Sequence, residues 1–272
     1  MADDSRLPNP RAFFPEGIAG EVNGDGPLLL WCHGFSSSRA IENRVDLYGI
    51  TEVEGFRVVR WDAPGHGESA DVEDDETTTW PRLGQLMLDI ASGLGEGHFI
   101  ASGASMGTAT SLWAAVINPS AIDAMILVVP PTAWETRQAQ RELHLANAEI
   151  VANHGITAYL DAGDARPLVE SLGSAALAVR QATRSALAGS DPASFAHALR
   201  GAAASNFPTR EQIAGLKIPA LILSWDGDPQ HPTSTAEQLA DLLQDSVLYR
   251  AHRLDQVLDW RKVAAQWLHE RL

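Results

Sequence analysis

Short apolar runs alternate with longer amphipathic stretches along most of this chain, and the alternation predicts its secondary structure. Leu28–Cys32 is apolar at every position, which is typical of a strand buried on both faces of a parallel sheet. Strands that alternate with helices predict an α/β fold, with a mostly parallel central sheet and helices on both of its faces. The further strand-like runs are 56–61, 98–101, 122–129, 220–225 and 247–249, and the predicted helices are 38–49, 78–94, 108–117, 234–243 and 256–271.

Residues 133–210 depart from this alternation. Strand-like runs disappear there, alanine dominates, and helical stretches are expected near 134–153, 156–162, 165–188 and 191–204. Because the alternation resumes after this block, we predict that 133–210 is a helical cap inserted over the strand ends. Residues 1–132 and 211–272 then form one core.

Composition narrows the location and the partners of the protein. The chain has 35 acidic and 20 basic residues, and the net charge of −15 disfavours nucleic acid and anionic membranes as partners. Cys32 is the only cysteine, so no disulfide can form within the chain and a reducing compartment is compatible. The first residues are acidic rather than apolar, and no run is long enough to span a bilayer. We therefore expect a cytoplasmic protein.

The segment Gly103-Ala104-Ser105-Met106-Gly107 carries the clearest chemical signal. It lies between a strand-like run and a predicted helix. A G-x-S-x-G sequence in that context is the pattern of a nucleophile elbow, where a serine in a strained backbone conformation requires small neighbours two positions away. The helix that follows directs its free N–H groups towards the serine, where they favour a negative charge.

Two more motifs precede this segment, His33-Gly34-Phe35 and Asp62-Ala63-Pro64-Gly65-His66-Gly67-Glu68-Ser69. In this order the three motifs resemble those of the α/β-hydrolase superfamily, in the style of small bacterial esterases and lactonases similar to 3-oxoadipate enol-lactonases. The resemblance covers nearly the whole chain. It implies the α/β-hydrolase fold and acyl transfer through a serine, with no metal and no organic cofactor.

The resemblance also implies a catalytic triad in the chain order nucleophile, acid, base. Ser105 is then the nucleophile. Asp228 is predicted as the acid, because it follows the next-to-last core strand and Pro232 comes after it at the family's usual spacing. Asp226 lies close to the same strand end and is the alternative.

His252 is predicted as the base, since it follows the last strand and precedes the C-terminal helix. The sequence departs from the family pattern here, because Ala251 stands where a glycine usually precedes this histidine. His231 and His269 therefore remain alternatives for the base.

The same resemblance implies that the backbone N–H groups of Phe35 and Met106 form an oxyanion hole. His33 and His66 flank these loops, and we interpret both as structural residues that hold the backbone rather than as catalytic groups.

Side chains in the helical block are candidates for substrate contacts. The candidates for the lining of an acyl pocket are Trp134, Tyr159, Phe195 and Phe207, although aromatic residues in such a block more often form its own core. Arg137 and Arg141 share a helix face, which we expect to be solvated, although this face also has the chemistry to meet a substrate carboxylate.

The sequence thus predicts a serine hydrolase that cleaves a small ester or lactone, with a small molecule as its only expected partner. Thioester cleavage and carbon–carbon bond hydrolysis are alternatives within this class. A ligand-binding protein that kept the fold without catalysis is the alternative outside it. The oligomeric state is not predicted.

Overall fold

The computed structural model describes residues 14–49 and 52–272. Within these residues the centre of the fold is a seven-stranded sheet in the order β1-β3-β2-β4-β5-β6-β7. All neighbouring strands are parallel except the edge strand β1, which pairs antiparallel with β3. The strands are β1 (Gly20–Asn23), β2 (Leu28–Cys32), β3 (Arg57–Trp61), β4 (Phe99–Ala104), β5 (Ile122–Val128), β6 (Ala220–Trp225) and β7 (Ser246–Ala251).

Helices connect the parallel strands and cover both faces of the sheet, as the α/β pattern predicts. The longest helix, α4, is kinked at Gly155, which has a φ of 79°. The helices are α1 (Arg39–Arg44), α2 (Trp80–Gly93), α3 (Met106–Ile117), α4 (Arg137–Asp164), α5 (Ser174–Leu187), α6 (Pro192–Ala204), α7 (Arg210–Ala214), α8 (Thr233–Leu242), α9 (Leu254–Leu258) and α10 (Trp260–Arg271). None of the helices in the described ranges is long and apolar enough to cross a bilayer.

Alternate residues of the buried strands contribute to two hydrophobic cores, because successive side chains of a strand point to opposite faces. Leu30 of β2 packs in one core together with Leu83 of α2 and Leu112 of α3. Leu29 belongs to the other core, which includes Trp260 of α10. This double burial explains why β2 is apolar at every position.

The parallel strands β2, β4 and β6 end at the same edge of the sheet, so the residues that follow them meet there. Helices α4 and α6 pack together next to this edge, and Phe35, in the loop after β2, lies against their shared apolar cluster. Four helices, α4 to α7, lie between β5 and β6. The first three lie within the block 133–210 that the sequence predicts to be helical, and α7 begins at the last residue of that block. The division of the chain into a core and an inserted cap stays a prediction.

Candidate active site

Ser105 lies at the sharp turn between β4 and α3. Its backbone has a φ of 52° and a ψ of −106°, a conformation that L-residues rarely adopt. The Ser105 N–H donates to the carbonyl of Val128 at 2.9 Å, which ties the turn to the neighbouring strand β5. Strain that is held by the surrounding structure in this way is common at functional sites.

The two glycines of the motif are required by close backbone contacts. A Cβ atom on Gly103 would lie 2.5 Å from the carbonyl oxygen of Cys32, and a Cβ atom on Gly107 would lie closer still to the same oxygen. Strand β2 therefore approaches the elbow too closely for any side chain at either position, which confirms the steric interpretation of the motif.

His231, in the loop after β6, is the histidine beside Ser105. Its Nε2 atom lies 2.8 Å from Ser105 Oγ, and its Nδ1 atom lies 2.7 Å from Asp228 Oδ2. Because a carboxylate accepts only, Nδ1 carries the proton and Nε2 is free to accept one from the serine hydroxyl. This is the geometry of a serine, base and acid triad.

Asp228 is buried beneath His231 and is held by several donors. The N–H of Gln230 donates to its Oδ1 at 2.9 Å, and the indole N–H of Trp225 donates to its Oδ2 at 3.2 Å. Burial raises the pKa of this carboxyl group, but the His231 imidazole and the donated hydrogen bonds outweigh burial and hold the pKa at about 2. Asp228 is therefore ionised near neutral pH and can stabilise a protonated His231.

The structure corrects the prediction for His252. This side chain is 57% exposed and its Nδ1 atom binds Asp226, which also accepts from Arg250. It lines neither of the cavities that adjoin Ser105. The position after the last strand is as predicted, but the side chain forms a surface pair with Asp226 and does not reach the serine.

The sequence offers His231 only as an alternative base, because the family pattern expects the base after the last strand. Two signals in the sequence favoured it. The residue before His252 is alanine rather than glycine, and His231 follows Asp228 by three positions, a spacing that lets one turn bring the two side chains together. The third candidate, His269, is exposed, and its Nε2 lies 3.2 Å from the carbonyl oxygen of Glu54.

Phe35 and Met106 lie where an oxyanion hole is predicted. Gly34 packs on the serine, since a Cβ atom built on it would be 3.5 Å from Ser105 Cβ. Met106 begins α3, so its N–H has no partner within the helix. Among the described residues, neither the Phe35 nor the Met106 N–H has an acceptor, so both are available to a ligand. Their role in binding an oxyanion stays a prediction.

His33 and His66 are structural, as predicted. His33 Nδ1 donates to the carbonyl of Gly34 at 2.8 Å, and its Nε2 accepts the N–H of Ala63 at 3.0 Å, so the ring is neutral and links two loops. His66 Nδ1 lies 3.0 Å from the carbonyl oxygen of Pro64, and burial lowers the pKa of His66 to about 4.

Two cavities meet at Ser105. The large cavity has a volume of about 760 Å³ and is mainly apolar, with Tyr48, Leu172 and Trp225 in its wall. The small cavity has a volume of about 170 Å³ and is polar. Its own wall includes Arg137, Gln140, His144 and Asn147 of α4. The two cavities share Phe35, Ser36, Ser105, Tyr159, Arg166, Gln230 and His231.

Of the four aromatic candidates, Phe195 is fully buried in the apolar cluster shared by α4 and α6, and Tyr159 lines a pocket. It lines both cavities, and its hydroxyl group lies 2.9 Å from Ser36 Oγ. Trp134 and Phe207 line neither cavity, which corrects the prediction for them. Their rings pack edge to face with centroids 5.6 Å apart, and Phe207 is buried in the core below α2 and α3. Sequence periodicity does not distinguish these two roles for an aromatic side chain.

The chain belongs to the α/β-hydrolase fold family, whose model matches residues 27–253. It is 27% identical over 191 residues to 3-oxoadipate enol-lactonase 1 from Acinetobacter baylyi. The aligned region covers 70% of this chain and 68% of that protein. Among solved structures, it is similar to the enol-lactonase from Burkholderia xenovorans LB400, with 18% identity, a TM-score of 0.76 and coverage of 93% of this chain and 96% of the other. A thermophilic esterase from Thermogutta terrifontis gives 22% identity, a TM-score of 0.77 and 93% coverage of each chain. These matches confirm the predicted fold and superfamily.

Proposed function

We propose that this protein is a serine hydrolase that cleaves a small ester or lactone through an acyl-enzyme. The observation that carries the proposal is the chain of contacts from Asp228 through His231 to the hydroxyl group of Ser105, at 2.7 and 2.8 Å. A free serine hydroxyl is a weak nucleophile near neutral pH, and an imidazole within hydrogen-bond distance activates it. The enol-lactonase and esterase relatives support ester-type substrates.

In the first half of the proposed reaction, His231 Nε2 takes the Ser105 proton as Oγ attacks the carbonyl carbon. Asp228 then stabilises the imidazolium ion. The N–H groups of Phe35 and Met106 bind the oxygen that becomes negative, and the loss of one such donor typically costs about 3–4 kcal/mol of activation free energy.

In the second half, His231 returns its proton to the departing alkoxide or enolate, and the acyl group remains on Ser105. Water then enters, gives a proton to His231 and attacks the acyl carbon, and His231 passes this proton to Ser105 Oγ as the acyl–Oγ bond breaks and the acid departs. Each proton passes through Nε2, while Nδ1 keeps its bond to Asp228 throughout.

A fluorophosphonate probe tests the nucleophile. We expect the wild-type protein to be labelled and the Ser105→Ala variant to remain unlabelled, and we expect only the wild type to hydrolyse p-nitrophenyl butyrate. If neither protein is labelled while both remain folded, the proposal fails, and a ligand-binding role without catalysis replaces it.

A further inference from the structure

The small cavity beside Ser105 contains a buried positive charge that lacks a carboxylate partner. Arg137 is only 4% exposed, and its guanidinium group donates to the carbonyl oxygens of Ser205 at 3.1 Å and Ala202 at 2.6 Å. Thr132 Oγ1 lies 3.4 Å away and the Trp80 ring 4.2 Å away. Burial lowers the pKa of Arg137 to about 10, so the group is still charged at neutral pH. Buried charges are normally paired, so this one is exceptional.

The expectation that Arg137 and Arg141 form a solvated face is therefore wrong for Arg137. Arg141 is exposed, whereas Arg137 is buried and lines the small cavity.

A second guanidinium group lies at the junction of the two cavities. Arg166 lines both of them. Among the described residues, its side chain has no hydrogen-bond or ion-pair partner, although its backbone carbonyl accepts from Arg180. No acidic residue of the described chain lines the small cavity. The large cavity is lined by Glu42, Asp164 and Asp228, whose carboxyl groups bind Trp31, Arg184 and His231 respectively.

Three further polar side chains of α4 line the small cavity, and they are one imidazole and two amides. His144 is 8% exposed and its Nε2 lies 3.3 Å from Gln140 Nε2, which is a donor. The imidazole proton is therefore on Nδ1, and this buried atom has no partner. Burial, Arg137 and Arg166 together lower the pKa of His144 to about 3, so the ring is neutral. Asn147, 5% exposed, adds a side-chain amide to the same wall.

A small anion would supply the charge partner that both guanidinium groups lack, and His144, in the wall of the same cavity, has an Nδ1–H without an acceptor among the described residues. From this arrangement we infer that the small cavity is a subsite for a carboxylate group of the substrate. This inference rests on the proposed hydrolase function, because it concerns the same site. The protein as a whole carries a net charge of −15, so the attraction for an anion is local to this cavity.

The sizes of the cavities define the rest of the substrate. A volume of about 170 Å³ corresponds to roughly five or six water molecules at about 30 Å³ each, so it holds a carboxylate with only a few carbons. The large cavity provides apolar walls for the other side of the scissile bond. Apart from the shared residues around Ser105, the small cavity lies along the first half of α4, and the large cavity lies along the last turn of α4 and along α5. An open-chain ester with one short anionic arm and one long apolar arm fits this arrangement.

Matched pairs of esters test the subsite. Monooctyl succinate is compared with octyl succinamate, in which an uncharged amide of the same shape replaces the carboxylate. Carboxymethyl decanoate and its amide place the charge on the alcohol side instead, so the two pairs distinguish which arm enters the small cavity. We expect wild-type kcat/KM to favour the charged member of at least one pair by about tenfold or more.

The Arg166→Met variant isolates the charge, because this side chain supports no other described residue. We expect it to reduce the preference for the charged ester over the amide of the same shape to below about twofold, since the ratio of the two kcat/KM values reports the charge alone. Arg166→Lys should retain part of the preference. Arg141→Met is the control, since it removes an exposed charge of α4 that lines neither cavity, and it should leave the preference unchanged.

Two failures are distinguishable. If the wild type hydrolyses charged and neutral esters of both pairs equally well, the anion subsite is wrong and the hydrolase proposal stands. The subsite is equally wrong if a preference exists but Arg166→Met retains it in full. If no ester is hydrolysed and Ser105 is not labelled by a fluorophosphonate, the proposed function itself has failed.

Discussion

His231 Nε2 lies 2.8 Å from Ser105 Oγ, although the two residues are 126 positions apart in the chain. The other half of the triad is local, because Asp228 and His231 belong to one turn in which the His231 N–H donates to the Asp228 carbonyl at 3.1 Å. One short turn therefore holds Asp228 and His231 side by side, whereas the contact of His231 with Ser105 depends on the tertiary fold. The family pattern expects the base in the loop after β7, but His252 in that loop contacts Asp226 and not Ser105.

The identity of the acid gives the first prediction. Asp228→Asn removes the charge that stabilises the imidazolium ion and allows the wrong tautomer of His231, so kcat should fall by about 10⁴-fold, as in other serine triads. Asp226→Asn is the control, because Asp226 contacts the exposed His252 instead. It should leave kcat for p-nitrophenyl butyrate within about threefold of wild type. A larger loss of kcat in Asp226→Asn than in Asp228→Asn would show that Asp226 is the acid instead.

A buried carboxyl group gives a prediction about stability and pH. Glu42 accepts the indole N–H of Trp31 at 3.0 Å, and Arg60 lies 3.6 Å away. Burial nevertheless raises the pKa of Glu42 from 4.5 to about 7. The folded state thus binds this proton more tightly than the unfolded state does. The stabilisation that results is fully present below pH 4.5 and is lost as the pH rises through about 7.

Glu42→Gln replaces this group with an uncharged amide of the same shape. The free energy of unfolding of the variant relative to wild type should therefore increase between pH 4.5 and pH 8, by up to about 3 kcal/mol. Urea unfolding of both proteins at several pH values measures this difference in the free energy of unfolding. The other titrating groups are the same in both proteins, so their contributions cancel. A difference that stays constant over this range would show that Glu42 is ionised normally in the fold.

The close approach of β2 to the elbow gives a third prediction. Gly107→Ala would place a Cβ atom against the carbonyl oxygen of Cys32, so we expect a loss of about 2 kcal/mol or more in the free energy of unfolding. Gly97→Ala is the matched control, because Gly97 has no atom within 4 Å of its Cβ position. It should change the stability by less than about 0.5 kcal/mol. Equal effects in the two variants would contradict the steric explanation of the motif.

The aromatic pair below the site gives a fourth prediction. Phe207→Ala removes a buried ring that packs against Trp80 and Trp134, so the free energy of unfolding should fall by about 3–5 kcal/mol. Since Phe207 lines neither cavity, KM for p-nitrophenyl butyrate should change by less than about twofold at a temperature where the variant is folded. A raised KM with an unchanged free energy of unfolding would show that Phe207 contacts the substrate and is not a core residue.

The sequence predicts the sheet and the elbow because both depend on local rules. A strand buried on both faces must be apolar throughout, as β2 is, and the elbow must have small residues at positions 103 and 107. Asp228 could also be predicted at the end of β6, since its position depends on the strand that precedes it.

The histidine that contacts Ser105 could not be predicted in the same way, because the choice between His231 and His252 depends on side-chain directions in three dimensions. The two histidines follow neighbouring strands, and each has an aspartate within hydrogen-bond distance. Only the folded chain shows which one reaches Ser105. The burial of Arg137 could not be predicted for a similar reason. A charged side chain is expected to be exposed, and the acceptors of Arg137 are backbone carbonyls near the end of α6, which only the folded chain brings close.

The most direct test of the account compares His231→Ala with His252→Ala by the rate at which a fluorophosphonate labels Ser105 and by kcat for p-nitrophenyl butyrate at pH 7. Both variants should remain folded, because both side chains are at least partly accessible to solvent. We predict that His231→Ala loses several orders of magnitude in both rates, whereas His252→Ala retains both within about threefold. The opposite pattern, with near-normal rates in His231→Ala and a collapse in His252→Ala, would contradict the account.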